Sequence, residues 1–130
     1  MRYVVDTHAL VWYLSRDARL GSSAQQILSQ PDQLLLIPVI VLAETKHAAD
    51  RHRVSLSFAT VAQTIASSPR ITVIPMDLAI VQYLPAQLDI HDAMIVATAL
   101  YYQDTFQEDV AVLTNDIAIT NSGLITAVWS

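Results

Sequence analysis

Apolar positions in this chain come in short unbroken runs separated by longer, helix-like stretches. Tyr3-Val4-Val5 is aromatic and β-branched, shows no polar alternation, and stops at Asp6. Such a run predicts a strand over residues 2–5 that is buried on both faces. Leu34–Ile37, Arg70–Ile74, Val110–Leu113 and Leu124–Val128 read the same way. Between them lie predicted helices over 7–14 and 23–29, and a third from Pro38, placed in its first turn, to about Arg51. Phe58, Val61, Ala62 and Ile65 stand at i, i+3, i+4 and i+7, so 56–67 is an amphipathic helix. Asp77 caps a short helix over 78–84, which Pro85 stops. Leu88–Asp92 reads as a turn into a helix over 93–100, apolar nearly all round and therefore buried. Residues 103–109 read as a polar loop, and a short helical or irregular piece precedes the last strand. Strands alternating with helices predict an α/β fold with a parallel five-stranded sheet. No repeat, low-complexity stretch or linker divides the 130 residues, which suits one domain.

Composition narrows the possibilities. Apolar residues make up 53% of the chain, a modest excess compatible with a buried interface. Trp12, Tyr13 and the end of the 38–51 helix are candidates for such a contact. The longest apolar run, Leu34–Ala43, is too short to span a bilayer. Asp6 and His8 interrupt any signal-peptide pattern, and a cytoplasmic location is the expectation. With no Cys there is no disulfide, thiolate metal site or cysteine nucleophile. The two isolated glycines cannot build a phosphate-binding loop. A net charge of −5 argues against gripping nucleic acid through overall charge, but leaves room for a nuclease whose carboxylates hold cations.

Four acids stand out by position. Asp6 ends the first strand, Asp116 follows the fourth, Asp92 opens the apolar helix, and Glu44 lies two turns into its own helix beside Leu42 and Ala43. Each also has a local explanation. Asp6 or Thr7 caps a helix; Asp92, three residues after Asp89, belongs to a first-turn cap; Asp116 is a turn residue after Asn115; Glu44 shares a solvated face with Lys46 and Arg51. If the sheet forms, Asp6 and Asp116 converge on one edge, and acids gathered there need cations. Oxygen-rich sites suit Mg²⁺ or Mn²⁺, which activate water against phosphodiesters.

The segments Val4-Val5-Asp6-Thr7-His8-Ala9-Leu10, Glu44 in the helix after Leu34–Ile37, His91–Ala99, and Leu113-Thr114-Asn115-Asp116 together resemble a PIN domain of the VapC toxin type. The likeness runs over essentially the whole chain in the family's order and spacing. It implies a three-layer α/β/α sandwich and a metal-dependent endoribonuclease, usually dimeric and held silent by a cognate antitoxin. On this resemblance Asp6, Glu44, Asp92 and Asp116 are the metal-binding and catalytic carboxylates, and Thr114 supports the site with its hydroxyl. Thr7 is a further supporting candidate. Relatives often carry Arg directly after the third acid where this chain has Ala93, and the polar stretch 103–109 is longer than usual.

His91 either orients Asp92 or contacts phosphate, or is simply an exposed helix-start histidine. Lys46, Arg51 and Arg53 put three of the seven basic residues within eight positions; they form either a solvated helix end or an RNA-phosphate patch. Two other aspartate-based Mg²⁺ folds do not fit. A receiver domain needs an acid pair after its first strand and a late Lys. A haloacid-dehalogenase-like phosphatase needs a second Asp where His8 stands. A non-catalytic PIN-like module that binds RNA or protein, and a housekeeping RNA-processing nuclease, remain alternatives to the toxin.

Overall fold

Val4 and Val5 have no exposed surface, because they lie in the middle strand of a sheet covered on both faces. A computed structural model describing residues 1–130 shows that sheet as β1 (Arg2–Val5), β2 (Leu34–Pro38), β3 (Ile71–Ile74), β4 (Val110–Leu113) and β5 (Thr126–Val128). All neighbours pair parallel, in the order β3-β2-β1-β4-β5. The helices are α1 (Thr7–Leu14), α2 (Ser22–Ser29), α3 (Val39–Asp50), α4 (Phe58–Ser67), α5 (Leu78–Val81), α6 (Ile90–Phe106) and α7 (Ile117–Asn121). The crossovers β1→β2→β3 progress one way along the sheet and β3→β4→β5 the other. Right-handed crossovers therefore put α1–α4 on one face and α5–α7 on the opposite one, giving three layers. Every residue of β4 is buried, as are Leu35, Leu36 and Ile37 of β2, which is why these strands read as continuous apolar runs.

The structure departs from the sequence reading at several boundaries. Pro38 is no helix residue. It ends β2, pairs in register with Ile74, and occupies the N-cap position of α3. The short helix after Asp77 stops at Val81 rather than at 84, and α4 starts at Phe58. The largest correction concerns α6. It begins at Ile90, where the Asp89 side chain accepts the Asp92 N–H, so His91 and Asp92 lie within its first turn. It runs on to Phe106, so most of the expected 103–109 loop is helical. Tyr101 and Tyr102 pack against the core, and Tyr102 stacks on Phe106 one turn later, with ring centroids 5.4 Å apart. The polar residues Asp104 and Thr105 take the solvent side, and Gln107 ends the helix in the left-handed conformation. No helix is long and apolar enough to cross a membrane.

Candidate active site

β1 is flanked by β2 on one side and β4 on the other, so the chain reverses its progression at the β1–β4 seam. In open parallel sheets the crevice outside the carboxyl ends of such a seam is where ligands bind. Asp6 follows β1 directly, and Thr114 follows β4 directly. The strands are in register with Val5 opposite Leu113, and the Asp6 N–H donates to Leu113 O at 3.2 Å. The Thr114 hydroxyl, almost fully buried, donates to Asp6 Oδ2 and accepts the Asp116 N–H at 3.0 Å. The other Asp6 oxygen accepts the Thr7 N–H at 2.7 Å. Asp116 Oδ1 accepts the Ile119 N–H at 3.2 Å and so caps α7. Capping and site geometry are thus compatible: one oxygen of Asp6 and one of Asp116 serve the backbone.

α3 carries Glu44 to the same place. Thr7 Oγ1 donates to Glu44 Oε1 at 2.9 Å, and His91 Nδ1 lies 3.6 Å from Glu44 Oε2. Asp92 joins from the first turn of α6. Its carboxyl is pushed up to about 6 by burial and then by the negative charges of Asp116, Asp89, Asp6 and Glu44. Burial also raises Asp6; the bonds from Thr114 and Thr7 and the nearby His8 oppose the rise, and Asp116 adds to it. No Lys or Arg pairs with Asp6, Asp92, Asp116 or Glu44. Four carboxylates from four elements therefore face one another without a side-chain cation. Their oxygens are the donor set that Mg²⁺ or Mn²⁺ prefers, so the residues present fit a hard divalent ion chemically. No three of the acidic and histidine side chains stand close enough together to hold a metal ion as they are placed.

A cleft of about 670 Å³ opens from this site between α1 and α3. Thr7, His8, Val11 and Trp12 line one wall, and Ala43, Glu44, His47 and Ala48 the other. Arg19, Arg53, Val54 and His91 complete its lining. The basic triplet read from sequence is divided. Arg53 lines the cleft, whereas Lys46 is held 2.6 Å from Asp50 and Arg51 caps the end of α3. Arg19, His8, Trp12 and His47 were not singled out as site residues. The signal was present in the paired i, i+1, i+4, i+5 spacing of 7, 8, 11, 12 and of 43, 44, 47, 48, which puts each set on one helix face. Trp12 meets His8, Arg19 and Trp129 within the chain, and Tyr13 packs on the core; both stay partly exposed.

The fold and site define an open-sheet α/β protein with an acidic centre at its topological switch point. The PIN domain family model matches residues 3–121, and the chain belongs to the PIN domain family. Its fold is similar to that of VapBC2 from Rickettsia felis bound to a DNA fragment from their promoter, with a TM-score of 0.69 at 15% identity over 100% of both chains. It is also similar to VapBC-1 from nontypeable Haemophilus influenzae, with a TM-score of 0.65 at 15% identity over 98% of this chain and 97% of that one. No curated protein matches the chain.

Proposed function

We propose that this protein is a metal-dependent endoribonuclease that hydrolyses phosphodiesters in single-stranded or loop RNA, and that it is the toxin of a toxin–antitoxin pair. The observation that carries the reading is the gathering of Asp6, Glu44, Asp92 and Asp116 at the β1–β4 seam with no Lys or Arg to neutralise them. Asp6, Asp92 and Asp116 would hold Mg²⁺ or Mn²⁺, with Glu44 binding or orienting a second ion or its water. A divalent ion supplies a lowered water pKa and charge stabilisation on the phosphate oxygens. Thr114 and Thr7 hold Asp6 and Glu44 by hydrogen bonds, and His91, which lines the cleft, would contact phosphate. No side-chain nucleophile is required, in keeping with a chain that has no Cys.

The antitoxin partner is carried over from the two VapBC neighbours. A homodimer in the cytoplasm completes the proposal.

The test is cleavage of end-labelled single-stranded RNA in Mg²⁺, in Mn²⁺ and in EDTA. The wild type cuts only with the divalent ion. Asp6→Asn, which keeps size and capping ability but removes one anionic ligand, loses cleavage while its circular dichroism spectrum is unchanged. Full activity in that variant, or undiminished activity in EDTA, rules the mechanism out.

A further inference from the structure

The two walls of the cleft carry groups of different character. At the acidic end, Thr7 is bonded to Glu44 at 2.9 Å. One helical turn on, about 5.4 Å, α1 presents Val11 and Trp12 and α3 presents His47 and Ala48. Arg53, from the segment after α3, also lines the groove. The groove therefore combines an acidic, an aromatic and apolar, and a cationic lining.

Its aromatic part is built as a stack. The His8 ring lies on the Trp12 indole with centroids 4.9 Å apart and planes 17° from parallel. The Arg19 guanidinium sits over the same indole, 4.7 Å from its centroid, and is held there by both carboxylate oxygens of Asp17. Trp129 meets the indole edge-on at 5.8 Å. His8, exposed and lining the cleft, belongs to this cluster of planar groups. Arg53 differs from Arg2, Arg19 and Lys46 in forming no ion pair. It is an uncompensated cation in the groove of a chain whose net charge is −5.

We infer that this groove is a nucleotide subsite beside the scissile phosphodiester, in which His8, backed by Trp12, stacks one unpaired base and Arg53 takes the adjoining phosphate. The inference rests on the nuclease reading for the position of the scissile bond. Planar stacking combined with a cationic groove is how single strands are held without base-specific readout. Duplex is disfavoured, because paired bases cannot turn their faces to His8.

The experiment separates the subsite from the nuclease reading. Binding is followed by fluorescence anisotropy in EDTA, where cleavage plays no part. The probes are a labelled oligouridylate, an abasic sugar–phosphate strand of equal length, and a duplex. The wild type binds the single strand more tightly than either of the others. His8→Ala weakens oligouridylate binding on the order of tenfold and leaves the abasic strand unaffected; His8→Phe, which keeps a ring on Trp12, restores it. Arg53→Gln weakens both strands. No measurable oligouridylate binding by the wild type overturns the subsite, as does equal affinity for duplex. Wild-type RNA affinity in both His8→Ala and Arg53→Gln overturns it too, and leaves the groove to a protein segment. Wild-type cleavage in Mg²⁺, measured alongside, decides the nuclease reading independently.

Discussion

Thr114 and Asp6, 108 positions apart in sequence, are joined by a side-chain hydrogen bond across the β1–β4 seam. The same Thr114 oxygen accepts the Asp116 N–H, so one buried hydroxyl sets the spacing of two acids.

Replacing Thr114 by Val keeps the shape and removes that hydroxyl. The Asp116 N–H loses its partner, at a cost of about 1–3 kcal/mol. Asp6 loses an interaction that holds its carboxyl down, so its pKa rises further. Cleavage should fall about 10- to 100-fold, the usual effect of losing an orienting partner. Urea unfolding and RNA cleavage rates check both effects; no change in either would show that the hydroxyl orients nothing.

Asp92 gives a pH signature. Its carboxyl sits at about 6 in the fold against 3.8 as the ordinary value. Between these values the folded chain keeps a proton that the unfolded chain has released, so stability falls as pH rises, and above about 6 the full penalty stands. The raised carboxyl of Asp6 acts in the same direction. In EDTA, Asp92→Asn should therefore melt close to the wild type at pH 4 and increasingly above it towards pH 7. A difference in Tm that is flat or shrinks with pH contradicts the assignment.

Divalent ions should reverse that penalty. Mg²⁺ or Mn²⁺ at a hundred times its Kd adds about 2.7 kcal/mol to a state that binds one ion, which a thermal melt detects. Asp116→Asn should lose most of the rise. Asp50→Asn, whose carboxylate pairs with Lys46 outside the site, should keep it. An equal rise from NaCl at matched ionic strength would reduce the effect to charge screening.

Gly21 tests the packing behind the aromatic stack. A Cβ there would lie 2.2 Å from the Trp129 carbonyl oxygen, which also accepts the Ala24 N–H at 2.9 Å. Gly21→Ala must displace the C-terminal strand end, at a cost of about 1–3 kcal/mol. Because Trp129 touches Trp12, tryptophan emission should shift with stability. An unchanged melt and spectrum would mean that the tail yields freely.

Much of the fold was legible because its determinants are local. Buried parallel strands leave unbroken apolar runs such as Val110–Leu113, and the capping position of Asp77 matches the helix that follows it; Asp116, read as a turn residue, proves to cap α7. Helix ends were less legible. α6 outlasts its apolar stretch because Tyr101 and Tyr102 are held by the core from a distance and Phe106 stacks back on Tyr102. Pro38 can start a helix as well as end a strand, and only its pairing with Ile74 settles which.

The sequence by itself determined that acids stand at the ends of buried elements, since a carboxylate after an apolar run is a matter of order along the chain. It also determined the α/β class, through the period of its hydrophobic positions. Only the tertiary structure decided which acids meet. The strand order β3-β2-β1-β4-β5 brings Asp6 beside Thr114 and Asp116, and α3 and α6 deliver Glu44 and Asp92 to the same seam. It alone divided Lys46 and Arg51 from Arg53 and brought Arg19 and Arg53 into the lining of one groove. The physical reason is that charges and rings act over a few ångströms in space. Neighbours at that range are chosen by how helices and strands pack, and separation along the chain says little about it.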